Sequence, residues 1–281
     1  MGVIFYNKNI SYEILIYLNN NYKNISIISN NISFNKIIFK CTKNNKKYIL
    51  KLFLDGRKDE SLIFDKIKER SKYIMYHLKK IKINNNIILT YRYFKKGDLF
   101  SFINNSIIIS YNFKIKIIKQ LVDFLLFLRK HSIVHIDLKT ENILFDDYYN
   151  IKVIDFEHSE IIKDKEGKIL NIKGTYIYLP PESIFKNIYS FKNDYWSLGI
   201  IIFILFTKRN FYINTYKKIL KKKNINLHVV SLIDNLLNPC LDDRYDIYDI
   251  KKNNILNSNS FFKKMLNCLN FKKRNTYYNF L

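Results

Sequence analysis

The chain has 281 residues, 48% of them hydrophobic and 26% charged, with six glycines and three prolines. That balance excludes a disordered or collagen-like chain and leaves little linker material, so one large domain or two lobes is expected. The net charge of +24 is compatible with nucleic-acid contact. Only seven of the 48 cations are arginine, however, and a groove built for phosphates favours arginine's planar fork. The excess of Lys, Ile, Asn, Tyr and Phe instead fits an A/T-rich coding sequence, and nucleic acid is not expected as a direct partner. Cys41, Cys240 and Cys268 are odd in number and widely spaced, which suits a reducing intracellular compartment. The start MGVIFYNKNI lacks the basic and apolar regions of a signal peptide, and Tyr6 stands where a myristoylation pattern needs Ser or Thr. The longest apolar run, Leu198 to Phe206, is far short of the roughly 20 residues that span a bilayer. A soluble, intracellular protein is expected.

In chain order, Ile25–Ile28, Lys36–Lys40, Tyr48–Phe53, Leu78–Ile83 and Ile87–Tyr93 are short, β-branched or aromatic, and alternate imperfectly. They predict five strands. Asn19–Asn21, Asn30–Asn31 and Asn84–Asn86 read as turns, because Asn tolerates positive φ. Between the third and fourth strands, Leu62, Ile63, Ile67 and Ile74 fall at near-helical spacing and predict a helix over Asp59 to Met75. After Gly97 the character changes. Tyr111–His131 predicts an amphipathic helix with Ile115, Ile118, Val122, Leu125 and Leu126 on one stripe. Asn142–Phe145 and Ile151–Ile154 predict a hairpin, Asp194–Thr207 a helix buried all round, and Phe211 to Leu281 a helical tail with basic faces. A small β-rich lobe before a larger helical one is an α+β arrangement with a crevice between, where ligands usually sit.

The densest chemistry lies around the hairpin. Before it runs His135-Ile-Asp-Leu-Lys-Thr-Glu-Asn142, and at its end stands Asp155. A carboxylate, an ammonium, an amide and a second carboxylate in this order suit phosphoryl transfer from a nucleotide. One carboxylate accepts a hydroxyl proton, the ammonium neutralises the moving phosphoryl group, and the last two hold Mg²⁺. Each charge taken alone is an ordinary loop residue; the ordered set is not.

His135 to Asn142 resembles the H-R-D-L-K-x-x-N catalytic loop of eukaryotic-type protein kinases, and Asp155-Phe-Glu157 resembles their D-F-G. Gly174-Thr-Tyr-Ile-Tyr-Leu-Pro-Pro-Glu182 is similar to G-T-x-x-Y-x-A-P-E, and Asp194-Tyr-Trp-Ser-Leu-Gly199 to D-x-W-S-x-G. Arg244 stands where the family pairs an arginine with the glutamate here at Glu182, and Tyr48-Ile-Leu-Lys51 resembles V-A-I-K. The likeness runs from about Ile28 to Arg244 and implies the two-lobed protein kinase fold over 1–281: N-lobe 1–93, hinge 94–97, C-lobe 98–281. It further implies ATP and Mg²⁺ as cofactors and a monomer acting on Ser/Thr hydroxyls of protein substrates, since Lys139 and Thr175 follow the serine/threonine pattern. By the same likeness Asp137 is the base, Lys139 the phosphoryl-stabilising cation, and Asn142 and Asp155 the metal ligands. Lys51 contacts the α- and β-phosphates and pairs with an acid that the spacing leaves open among Glu60, Asp65 and Glu69, with Glu60 preferred. Ile28, Asn30 and Ile37 belong to the loop over the nucleotide, Phe34 being its aromatic. Arg92-Tyr93-Phe94 would supply the hinge groups for adenine, through Tyr93 and Phe94, with Tyr91 as gatekeeper. His135 and Trp196 read as structural.

The departures are specific. The phosphate loop has no glycine: Asn30, Ile32 and Asn35 stand in their places. Ile136 replaces the arginine that reads a phosphorylated activation loop, and Glu157 replaces the D-F-G glycine. The glycine-free loop and Glu157 support a competing expectation, a pseudokinase acting as a scaffold. A small-molecule kinase of the same fold is disfavoured by the Gly174 to Glu182 segment. Compactness and A/T-rich usage resemble the kinases of large insect DNA viruses, entomopoxviruses and more loosely baculoviruses, which implies host cytoplasm or virion.

Overall fold

The computed structural model describes residues 10–31, 35–56, 59–67, 69–162, 166–168, 172–253 and 256. It opens with helix α1 (Tyr12–Asn21), followed by strands β1 (Lys23–Asn31), β2 (Lys36–Lys43) and β3 (Lys46–Phe53). A single turn of helix, α2 (Ser61–Phe64), precedes β4 (Lys79–Ile83) and β5 (Asn86–Arg92). The five strands form one antiparallel sheet in the order β1-β2-β3-β5-β4. Asn44 and Asn45 both take positive φ (50° and 59°), the geometry of a hairpin turn whose twist matches its strands, and the β2–β3 ladder is unbroken.

Directly opposed residues of an antiparallel pair share a face. Lys36, Ile38 and Lys40 on β2 oppose Phe53, Lys51 and Ile49 on β3, which oppose Ile87, Leu89 and Tyr91 on β5. This face turns toward the helical lobe, where Phe53, Leu89 and Tyr91 pack with Met75, Phe94, Leu144 and Ile154. The other face carries Ile37, Phe39, Leu50, Leu52 and Ile88, buried beneath Ile14 and Leu18 of α1.

Helices α3 (Leu99–Asn105) and α4 (Tyr111–Lys130) lead through β6 (Ile133–Val134) to the hairpin β7 (Ile143–Phe145) and β8 (Ile151–Val153), then to β9 (Glu160–Ile161) and β10 (Glu166–Lys168). After these come α5 (Pro181–Lys186), β11 (Ile188–Ser190), α6 (Phe191–Thr207), α7 (Tyr216–Lys222), α8 (Leu227–Leu236) and α9 (Ile247–Lys252). α6 is the centre of this lobe. Its residues are buried nearly all round, its first turn is closed by a reciprocal Ser190–Asn193 cap, and α4, α7 and α8 pack against it. A Cβ at Gly199 would lie 2.9 Å from Leu236 and Leu237, so glycine lets α6 and α8 approach this closely. Among the described residues no helix is long and apolar enough to cross a membrane.

Three expectations are corrected, the first being Asn30–Asn31, which are not a turn but the last residues of β1. Asn19–Asn21 are not a turn but the last residues of α1, whose apolar face docks on the sheet. The helix expected over Asp59 to Met75 is reduced to Ser61–Phe64. Beyond it Lys66 and Ile67 close four-residue turns, and Tyr73, Ile74 and Met75 are buried in succession, with Met75 N–H donating to Val153 O. Ile74 bridges Val153 in parallel, so Tyr73 to Met75 run as extended chain beside β8. The end of the expected basic tail, 257–281, lies outside the described residues.

Candidate active site

The floor of the cleft is a loop between β6 and β7. It is set by Ile136, a β-branched residue at φ 71°, in the left-handed region that costs about 1–3 kcal/mol for such a side chain. Asp194, buried at the start of α6, holds it there: its two carboxylate oxygens accept from His135 N (2.7 Å) and Ile136 N (2.9 Å). Burial pushes the Asp194 carboxyl up to about 7, while these two backbone bonds pull the other way. Gly174, at φ 92°, passes so close that a Cβ there would meet Ile136 O at 2.8 Å. Only glycine fits that crossing. His135 is buried, contributes Nε2 to a 3.0 Å bond with Ile154 O, and stacks edge-on to Phe156 at 4.7 Å between centroids. It supports the loop without facing the cleft.

On this support Asp137 gathers three partners. Oδ1 accepts from Thr175 Oγ1 at 2.6 Å, while Oδ2 accepts from Asn142 Nδ2 at 3.1 Å and lies 2.9 Å from Lys139 Nζ. Lys139 Nζ also donates to Thr175 Oγ1 at 2.7 Å. The structure thus brings Asp137, Lys139, Asn142 and Thr175 into one network, Asp137 and Asn142 buried and Lys139 and Thr175 half-buried. Asn142 spends its N–H groups on Asp137, the second bond reaching the backbone O at 2.8 Å, which leaves its carbonyl oxygen as the free-facing acceptor.

Asp155 stands at the end of β8 in a left-handed conformation (φ 68°) beside this network, where Ile154 N donates to Asn142 O at 3.0 Å. Lys51 Nζ donates to Asp155 Oδ1 (3.0 Å) and to Glu60 Oε1 (2.7 Å). The pairing left open by spacing thus falls on Glu60, which is tied further by Tyr91 OH (2.6 Å) and Phe156 N (2.8 Å). The Tyr91 bond is not legible from spacing, because Tyr91 reads as an apolar gatekeeper. Burial would raise the Asp155 carboxyl, but Lys51 and Lys36 beside it hold it well below the usual carboxylate range. Burial lowers the Lys51 ammonium, and the charges of Asp155 and Glu60 more than reverse that.

The roof differs from expectation. Ile37, placed by motif in the nucleotide loop, is buried on the outer face under α1, and Asn30 pairs with it on that same side. Ile38 opposes Lys51 and shares the cleft face of β2 with Lys36 and Lys40. Alignment to Phe34 hides this; Phe34 and Ile32 lie outside the described residues. Ile28 sits at a register shift between Ile27 and Ser29 and is 55% exposed. Lys36, absent from the expected site, is on the cleft face with Nζ 2.5 Å from Glu157 Oε1 and 3.8 Å from Asp155 Oδ1.

At the hinge, Tyr93 N donates to Lys47 O (3.3 Å), continuing the sheet, and Lys40 Nζ sits 4.6 Å above the Tyr93 ring. Phe94 packs between the lobes with Ile49, Leu144 and Ile154. An apolar cluster therefore adjoins the polar group of Lys51, Lys36 and Asp155, a combination suited to a planar base followed by phosphates. Asp155 and the Asn142 carbonyl fit Mg²⁺, which is commonly held by one or two protein carboxylates together with substrate phosphates and water.

At the far side of the floor Arg244 makes a bidentate pair with Glu182, Nη1 to Oε1 at 2.6 Å and Nη2 to Oε2 at 2.9 Å, both side chains buried. This fastens the segment from Gly174 to Glu182 to the chain after α8.

Residues 22–280 match the family model of the protein kinase domain. The chain belongs to the protein kinase family. It is 39% identical over 132 residues to calcium-dependent protein kinase 6 of Plasmodium berghei, covering 46% of this chain and 9% of that protein. It is 30% identical over 167 residues to the carbon catabolite-derepressing protein kinase of Candida glabrata, covering 59% and 27%. With the serine/threonine-protein kinase TOUSLED of Arabidopsis thaliana it shares 43% identity over 106 residues, covering 34% and 15%. The chain spans less than a third of the length of these relatives.

Proposed function

We propose that the protein is an ATP-dependent serine/threonine protein kinase that transfers the γ-phosphoryl group to Ser/Thr hydroxyls of protein substrates. The carrying observation is the closed network on Asp137. One carboxylate oxygen is held by Thr175 and the other by Asn142 and Lys139, so the carboxylate is fixed in place before any substrate arrives. Asp137 would accept the hydroxyl proton as the oxygen attacks, and Lys139 would offset charge on the phosphoryl group in transit. Lys51, positioned by Glu60, would orient the α- and β-phosphates. Asn142 and Asp155 would hold Mg²⁺, which supplies charge neutralisation across the phosphates. Tyr93 and Phe94 would border the base.

The residue ranges 1–93, 94–97 and 98–281 carry forward as N-lobe, hinge and C-lobe of one kinase domain. The reading includes a monomer inside the cell; an origin among large insect DNA viruses rests on residue usage and compactness alone. Ile136 offers no charge to an activation-loop phosphate, and Ser159, the hydroxyl residue between Glu157 and Lys173, is buried with Oγ donating to His135 O. Competence without loop phosphorylation follows. The competing scaffold reading has in its favour the glycine-free roof and Glu157, whereas the floor carries every polar group that transfer needs.

The test is incubation of the purified protein with radiolabelled ATP, Mg²⁺ and panels of basic, acidic and proline-containing Ser/Thr peptides. Label on hydroxyl peptides that persists after phosphatase pretreatment of the enzyme is the expected result. No label on any peptide, with wild-type protein that still binds MgATP, would replace this reading with the scaffold.

A further inference from the structure

The third strand's Lys51 is not the only lysine aimed at Asp155. Lys36 opposes Phe53 and Ile38 opposes Lys51, so Lys36 and Lys51 project from neighbouring strands on the same face. Their ammonium groups lie 3.8 Å and 3.0 Å from the same oxygen, Asp155 Oδ1. The Lys36 side chain is 13% exposed, and Glu157, where a D-F-G segment has glycine, meets it at 2.5 Å. A surface lysine would extend into water; this one is drawn under the roof by a carboxylate cluster.

A loop rich in glycine binds phosphate through backbone N–H groups that a Cβ would keep at a distance. At Lys36 the backbone is committed to the ladder with Phe53 and Asn31. What the roof offers instead is a long side chain ending in a mobile point charge, a recognised alternative for phosphate. We propose that Lys36 is a second phosphate-binding lysine of this cleft, supplying from the roof the positive charge that a glycine-rich backbone would otherwise present to a nucleoside triphosphate. Glu157 is its counter-ion when the phosphates are absent and keeps it aimed at the site. The proposal rests on the nucleotide-binding reading above.

The experiment is calorimetric titration of MgATP and, separately, of adenosine into the full chain and its Lys36→Met, Lys36→Arg and Glu157→Gln variants, with the melting temperature of each unliganded protein. A charge-assisted hydrogen bond corresponds to about 10- to 100-fold in affinity. Lys36→Met is expected to weaken MgATP by that factor and leave adenosine unchanged, and Lys36→Arg to recover most of the loss. Glu157→Gln keeps the lysine and is expected to bind MgATP at least as well as the wild type. Equal MgATP affinity in Lys36→Met and wild type would reduce Lys36 to a tether for Glu157 and overturn the proposal. Parallel losses of MgATP and adenosine would do the same, as would a loss in Glu157→Gln as large as in Lys36→Met. Wild-type protein that binds neither ligand would overturn the nucleotide reading itself, a distinct failure.

Discussion

The floor and roof of the cleft are built by opposite means. The floor is specified side chain by side chain: Asp137 is held by groups from two separate segments, and the loop bearing it is pinned in a strained conformation by Asp194 from a third. The roof is specified by strand pairing, which sets the face that each side chain takes. A substitution in the floor removes a bond that nothing else replaces. A substitution in the roof changes what one face presents and leaves the architecture standing. This is why the floor keeps the polar groups of a motif, departing from it at Ile136 and Glu157, while the described strands of the roof pair without a glycine.

The sharpest way to break the contrast is Asp137→Asn. The amide keeps the size and most of the contacts, so fold and nucleotide binding should persist while turnover falls about 10²- to 10⁴-fold. Single-turnover phosphorylation measured beside MgATP binding separates the two. Transfer at the wild-type rate would show that the floor is not the reacting surface.

A second test targets the pin of the floor. Arg244→Ala leaves the Glu182 carboxylate buried without its bidentate partner, and breaking a buried pair from one side costs about 3–5 kcal/mol. Urea denaturation should show that loss in the midpoint at nearly constant slope. A change below about 1 kcal/mol would mean that Glu182 reaches water and that the segment from Gly174 is not fastened there.

The same contrast governs what was legible in the sequence. Asp137, Lys139, Asn142 and Asp155 stand out because phosphoryl transfer suits those groups in that order, and Lys51 through its likeness to V-A-I-K; the structure gathers them. Strand positions were legible from β-branched runs, with ends off by a few residues. The faces of β2 were not. Phe34-Asn35-Lys36-Ile37 can be set against a glycine loop in more than one register, and without glycines nothing in the local sequence chooses. Register is chosen by burial of Ile37 and Phe39 under α1, a helix whose weak apolar stripe escaped notice among asparagines. The near-helical spacing after Asp59 misled for a related reason: Ile63 and Phe64 are buried as one short turn, and Tyr73 to Met75 as extended chain.

His135 gives the floor a signature in pH. The imidazole is buried, Nε2 is bonded to Ile154 O, and Nδ1 has no hydrogen-bond partner among the described residues, so burial lowers its proton affinity. The folded chain keeps it neutral below the ordinary value of about 6.5, where the unfolded chain takes up a proton. Its contribution to stability is therefore intact above that pH and lost as pH falls, by up to about 1.4 kcal/mol per unit. Urea midpoints at pH 7.5 and 5.5 should converge more in His135→Phe than in the wild type, even though the variant also loses the bond to Ile154. Identical slopes would mean that the folded protein protonates His135 as readily as the unfolded chain.

The smallest expected effect is the most discriminating for the roof. Asn30 aligns with a loop glycine by motif, yet it pairs with Ile37 and shares the face turned away from Lys51. If register governs, Asn30→Gly restores nothing to the phosphate side. It should cost only the strand penalty of glycine, about 0.5–1 kcal/mol, and change MgATP affinity by less than about twofold. If motif governs, the new glycine would let the backbone close on the phosphates and tighten binding about tenfold or more. Lys36 would then be a bystander on the strand next to it. Titrating MgATP into Asn30→Gly and Lys36→Met side by side reads both possibilities in one measurement, because each register predicts a large change in one variant and almost none in the other.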